Sequence, residues 1–156
     1  MPPQAPPVDP NAGGGGGGGS AATLGVRFVA KLLDGLIVGI PLGIVLAIAG
    51  LATSYVGTLI QAVVYLGYLS YLESTSGQTI GKKVMNLTVV DEAGNPPSLE
   101  AAIKRNVYVA LNIIPTVLGG LISLAAVIGI AVTINSDPSK RGFHDKFAET
   151  GVIRSA

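Results

Sequence analysis

Three apolar runs divide this chain. From Leu32 to Leu51, 20 residues carry a single charge, Asp34. A helix rising ~1.5 Å per residue would take them across the ~30 Å hydrocarbon core of a bilayer. Pro41 lies inside this run, where a membrane helix tolerates a kink better than a soluble one does. Gly35, Gly39 and Gly43 recur every four residues, with Ala47 continuing the row. Such spacing makes a smooth stripe on which another helix can pack, within the chain or in an oligomer. After an uncharged turn at 50–57 comes the second run, Tyr55 to Leu72, 18 residues without a charge. Gln61, Tyr65 and Tyr68 are spaced i, i+4, i+7 and so share one face of it. That face reads either as a wet, ligand-facing stripe or as interhelical hydrogen bonding with interfacial tyrosines.

The third run, Val107 to Ile134, has 28 residues. As one helix it would extend ~42 Å, longer than one crossing needs and shorter than two with a turn. Pro115 and the Gly119-Gly120 pair near its middle predict a break. Charge bias points the same way. All ten Lys and Arg lie before the first run or near its start, in the loop after the second, or beyond Ile134. With the positive side cytoplasmic, the N-terminus and the central loop are inside and the 50–57 turn is outside. One further crossing would strand Lys140, Arg141, Lys146 and Arg154 outside, whereas a broken or re-entrant hairpin keeps every basic residue inside.

The predicted fold is an all-α membrane bundle with spans near 32–51 and 55–72, a broken or re-entrant hairpin over 107–134, and a small cytoplasmic β element. "NLTVVDEAGNPPS" (86–98) reads as a short strand and a turn. "TGVIR" (150–154) is a second strand that can pair with it. Ser98 is placed to cap a helix from Leu99, with Glu100 in its first turn. Apolar residues at 99, 102, 103, 107, 110, 111 and 114 make that helix amphipathic.

Composition sharpens the class. Apolar residues make up 49% of the 156 and charged residues 12%, with mean hydropathy +0.58. Soluble domains carry roughly 25% charge, so the expected surroundings are a lipid bilayer. A formal net charge of +1, with the basic residues in small flanking clusters, gives no case for nucleic acid. There is no cysteine and one histidine, which leaves a transition metal without ligands and predicts no cofactor. Residues 1–23 hold four prolines among the first seven positions and seven glycines from Gly13 to Gly19. They lack the basic and apolar regions of a signal peptide and read as a disordered arm ahead of a domain at 24–154. The arm is either a solvated tether or a docking segment for a partner.

Candidate chemistry is confined to charges at the membrane edge. An ionisable group costs roughly 2.5–3.5 kcal/mol at the centre of a bilayer-spanning helix and less near its end. Asp34 is near the end, and Lys31, three residues earlier, can reach it. Either the pair fixes the helix at its depth, or Asp34 faces the bundle to meet a cationic partner or a transported cation. "GQTIGKK" (77–83) departs from a phosphate loop, because only three residues separate its glycines and Lys83 follows Lys82 where Ser or Thr is needed. His144 beside Asp145 reads as a structural hydrogen-bonding residue. No serine or threonine has a visible base and orienting acid, so no enzymatic activity is predicted.

Three segments in order carry a resemblance. Arg27, Ala30 and Asp34 match an Arg-x-x-Ala-x-x-x-Asp motif; Gly77, Thr79, Gly81 and Lys82 match Gly-x-Thr-x-Gly-Lys; and His144, Asp145, Ala148, Thr150, Val152 and Ile153 match a closing His-Asp-x-x-Ala-x-Thr followed by apolar residues. Over about residues 24–154 the chain resembles the RDD family of bacterial membrane proteins, and its Pro/Gly-rich arm is similar to those of actinobacterial members. The resemblance implies a multi-pass protein of the plasma membrane and a functional charge set of Arg27, Asp34 and Asp145. Arg27 is then expected to pair with Asp145 and hold the tail to the bundle, with Lys31, Lys82 or Lys83 as the partner of Asp34. Two readings follow: a transport or ion-exchange component acting on a small cation, or a non-transporting scaffold or accessory subunit whose arm recruits a partner; the chain itself could pair with a second copy or with another membrane protein.

Overall fold

A computed structural model describes residues 19–114 and 117–155, without the side chains of residues 112 and 117–119. The expected disorder of residues 1–18 and the break at Pro115 lie outside the described residues. Two long helices dominate. Helix α1, Leu24–Ile48, and helix α2, Tyr55–Ser76, have mean hydropathies of 2.1 and 1.3 over their most apolar stretches. Both are long and apolar enough to cross a membrane. Only 11% and 22% of those stretches are buried. The core helix of a soluble protein would be mostly buried, whereas here Phe28, Leu32, Ile40, Ile44 and Ile48 line the outside of α1. So large an exposed apolar surface needs a lipid or protein cover.

The α1–α2 turn is built on Gly50, whose φ of +69° suits glycine, and on Ser54, whose hydroxyl accepts the Gly57 N–H at 3.0 Å as the cap of α2. Helix α2 ends at Gly77, with φ +70° and its N–H on the Glu73 carbonyl at 2.9 Å. The polar loop that follows is ordered as a cap. Its parts are the short helix α3, Ile80–Val84; strand β1, Leu87–Asp91; and helix α4, Leu99–Asn106, capped by Ser98 on the Ala101 N–H at 3.1 Å. Within the intervening turn, Asp91 Oδ1 accepts the N–H groups of Ala93 and Asn95 at 2.9 Å each.

The third apolar run is two elements. A 3-10 segment, Val107–Ile113, continues α4, and helix α5, Val117–Ser136, follows. The amphipathic period of the sequence predicts one α-helix from Leu99 to Ile114, but α geometry stops at Asn106. Its amide donates to the Ala102 carbonyl at 3.0 Å, a bond that competes with the helical ladder. Seven 3-10 residues cover ~14 Å, half a bilayer core. The tail supplies helix α6, Phe143–Phe147, and strand β2, Thr150–Arg154.

Strands β1 and β2 pair antiparallel, Leu87 opposite Arg154 and Asp91 opposite Thr150. Residues 20–22 run along the free side of β2: Ala21 bridges to Ile153, and Arg154 N–H reaches the Ser20 carbonyl at 2.9 Å. The end of the Pro/Gly-rich arm is therefore part of the cap. Ala22, Ala30, Leu87, Val89 and Val152 form the small core that seats the sheet on the first turns of α1.

Candidate functional site: a buried charge network

Asp34 lies one turn along α1 from Ala30, and its side chain is fully buried. It meets no lysine within ion-pair distance among the described residues, which corrects the expected pairing with Lys31, Lys82 or Lys83. Three neutral donors hold it instead. Tyr68 OH and the Gly81 N–H donate to Oδ1, each at 2.8 Å, and Thr79 Oγ1 donates to Oδ2 at 2.6 Å. These bonds dock the start of α3. The Ile80 N–H goes to Tyr68 OH at 3.2 Å, the Gly81 N–H to Asp34, and the Lys82 N–H to Thr79 Oγ1 at 3.3 Å, so the orphan amides of that helix end are satisfied. Gly81 permits the approach. A Cβ there would run into the Ala30 carbonyl and lie 2.9 Å from the Asp34 carboxyl carbon. The "GQTIGKK" segment is thus a docking turn, with the amides of Ile80, Gly81 and Lys82 occupied by protein.

A chain of ion pairs runs beside this cap. Arg27 Nη2 donates to Asp145 Oδ2 at 2.5 Å, and Nη1 to the Lys140 carbonyl at 2.6 Å. Arg105 bonds the other carboxylate oxygen of Asp145 and the Thr150 hydroxyl, and its Nε lies 3.4 Å from Glu73 Oε2. Lys82 Nζ donates to Glu73 Oε1 at 2.6 Å, and Asn106 Nδ2 to Oε2 at 2.9 Å. Helices α1, α2, α3, α4 and α6 are thereby tied together through two carboxylates. Burial opposes charge at Asp145, but Arg105 and Arg27 outweigh it and hold the carboxyl below its ordinary pKa. Burial likewise opposes charge at Arg105, where Asp145 and Glu73 win and raise the pKa. At Lys82 burial prevails over Glu73 and lowers it. His144 Nε2 lies 3.2 Å from Asp145 Oδ1, its ring edge-on to Tyr108 and Phe143. Burial lowers its pKa to about 3 against the pull of Asp145, so the ring is neutral near pH 7.

Lys31 stands apart from these pairs. Among the described residues no carboxylate lies within ion-pair distance of it. Its ammonium sits 5.4 Å and 5.2 Å from the ring centres of Tyr65 and Tyr108 and 3.4 Å from Asn106 Oδ1. It lines a cleft of about 430 Å³ between α1, the 3-10 segment and α5. A second cleft, about 410 Å³, lies between α1 and α2 and is lined by Thr58 and Gln61. The two share Gly35, Tyr65 and Val109.

The family model described as RDD family matches residues 21–149. The chain belongs to the RDD family. No curated protein and no solved structure matches it. In this RDD chain the three motif segments converge in space: the arginine of the first takes the aspartate of the third, and the aspartate of the first takes the threonine and glycine of the second. Lys82 is buried and Lys83 exposed. Tyr65 and Tyr68 stack at 6.5 Å, whereas Gln61 is exposed and makes no side-chain hydrogen bond among the described residues. Gly35 has one neighbour at 3.9 Å from where a Cβ would lie, Tyr65 OH, and Gly39 and Gly43 have none within 4 Å. The glycine stripe therefore fits no helix closely among the described residues. Glu73, Arg105 and Asn106 are the residues that sequence reasoning missed. Glu73 continues the row Gln61, Tyr65, Leu69 at four-residue spacing, and Arg105 and Asn106 continue the buried face of Ala102. Those periodicities are the signal that points to them.

Proposed function

We propose that this RDD protein is a non-enzymatic membrane scaffold in which Arg27, Asp34 and Asp145 lock a cytoplasmic cap onto the helical bundle and carry no ion themselves. The supporting observation is the saturation of the buried acids. Asp34 accepts three hydrogen bonds; Asp145 is held by Arg27, Arg105, His144 and the Gly142 N–H; and Glu73 is held by Lys82, Arg105 and Asn106. An exchanging carboxylate needs a vacant face for its cation, and four nearby cations oppose one. All ten Lys and Arg belong to the cap end of the chain, while the 49–54 turn has none, and the positive-inside tendency then favours a cap in the cytoplasm of a bacterial cell. On this reading the 3-10 segment enters the bilayer and α5 leaves it on that side. The Arg105–Asp145 pair and the bond from the Phe143 N–H to Thr133 Oγ1, 3.1 Å, support it, since both ends of the segment meet at the cap.

The test is the purified protein in vesicles, followed by a pH-sensitive dye on addition of sodium. The scaffold reading expects no proton movement above that of empty vesicles, and a lowered melting temperature for Asp34→Asn. Sodium-driven proton movement that disappears in Asp34→Asn at an unchanged melting temperature would reverse the assignment. The neighbouring clefts that share Gly35 and Tyr65 favour a second reading, a transport component, for which the same vesicles serve with other solutes.

A further inference from the structure

The cleft between α1 and α5 has both polar and apolar lining. Its polar lining includes Lys31, Tyr65, Tyr108, Asn106, Arg27 and Arg105. Glu73 reaches the same wall, but both its oxygens are committed to Lys82, Arg105 and Asn106. The surrounding network contains four cations, Arg27, Lys31, Lys82 and Arg105, and three carboxylates, Asp34, Glu73 and Asp145. Lys31 is the cation of this network that has no carboxylate within ion-pair distance among the described residues. A lysine at a membrane edge ordinarily extends toward water, yet this one is turned onto two tyrosine rings and an amide inside the cleft. Part of the lining is apolar and exposed: Phe28, Leu32 and Leu36 of α1 and Val127 of α5 line the cleft and are 46–62% exposed. The volume is within the range of small-molecule sites, roughly 300–1,000 Å³.

We infer that this cleft binds an anionic amphiphile, a single carboxylate or phosphate head seated on Lys31 with its hydrocarbon chain leaving sideways between α1 and α5 into the bilayer. Charge complementarity selects the head, because an anion supplies the partner that Lys31 lacks, and Tyr65, Tyr108 and Asn106 surround the same point. The exposed apolar rim selects the tail, since a fully hydrated solute would have to approach through lipid-facing side chains. The inference is independent of the scaffold reading, which rests on the saturated acids.

Native mass spectrometry of the full chain in neutral detergent tests it, with palmitate, phosphatidylglycerol, phosphatidylcholine and inorganic phosphate as probes. Palmitate added from water and phosphatidylglycerol supplied in nanodiscs distinguish a free acyl anion from a membrane lipid as the source. One palmitate or phosphatidylglycerol per chain is expected, with binding at least tenfold weaker in Lys31→Met and retained in Lys31→Arg and in the exposed-site control Lys83→Met. Leu36→Trp, which fills the exposed apolar part of the cleft and leaves Lys31 in place, should block binding at an unchanged melting temperature, so that loss through misfolding is recognised. Equal binding in Lys31→Met, or phosphatidylcholine bound as well as phosphatidylglycerol, overturns the inference. Binding of phosphate without either amphiphile overturns it too and leaves a soluble-anion site, with the scaffold reading untouched.

Discussion

Replacing Asp34 by alanine should release helix α3 and the cap behind it. The magnitude follows from the donors left behind. Thr79 is 1% exposed and Gly81 is buried, so two donors lose their acceptor without access to water, at roughly 1–3 kcal/mol each. Tyr68 OH, half-buried at the rim, can turn to another acceptor. Lost stabilisation of about 4 kcal/mol is expected, near that of removing one partner from a buried charged contact, and it corresponds to about a thousandfold rise in the open population at roughly 1.4 kcal/mol per decade. Asp34→Asn should be milder, about 1–2 kcal/mol. Its oxygen can still accept from Tyr68 and Gly81, while its amide faces a Thr79 hydroxyl that already accepts the Lys82 N–H. Native-state trypsin digestion reads the difference directly, because Lys82 is 7% exposed in the docked cap and cleavage at 82–83 requires α3 to open. Cleavage in Asp34→Ala within threefold of the parent rate would refute the docking role, as would a higher melting temperature in Asp34→Asn.

Exchanging Arg27 and Asp145 should fail to rescue either single variant, since an arginine at 145 would face Arg105. The informative measurement is the cycle Arg27→Gln with Arg105→Gln, in which the melting losses should depart from additivity by about 1 kcal/mol or more because both donors share one carboxylate. Gly81→Ala should lower stability by about 1–3 kcal/mol by pushing α3 off the Ala30 carbonyl, a loss read by thermal melting in detergent. His144 gives a pH signature. Its folded pKa, about 3, lies below its ordinary 6.5, so the unfolded chain binds the extra proton and stability is full above pH 6.5 and falls as pH drops toward 3. Melting between pH 6.5 and 5 should lose about 2 kcal/mol, and His144→Gln should flatten that slope; the lowered carboxyls Glu100, Asp137 and Asp145 come in near and below about pH 5.

Hydropathy and caps made much of the architecture legible. The spans near 32–51 and 55–72 correspond to α1 and α2 with shifted ends, because local caps such as Ser54 and Gly77 set where a helix starts and stops and the limits of an apolar run do not. Helix α2 runs past Leu72 to Ser76 because Glu73 is buried against Lys82 and Arg105, which a count of charges reads as the start of a solvated loop. The pairing of "TGVIR" with "NLTVV" was readable from β propensity and a shared side of the membrane, and the register bears out the pairing. The added edge at Ser20–Ala22 was not, because "SAA" has no strand signal and takes its order from the backbone of β2.

The partner of Asp34 shows where charge arithmetic stops. Opposite signs at i−3 made Lys31 the natural guess, but Asp34, almost three turns into α1, is held by three neutral donors: Tyr68 OH of α2, and Thr79 and Gly81 of a helix end that needs an acceptor. With Asp34 committed to α3, Lys31 is freed from it and turns into the cleft. The same substitution of partners that removes a cation-binding acid from the site therefore creates a cationic one. On the proposed reading a ligand for this module is therefore sought among anions, with Lys31 as the charge that meets it.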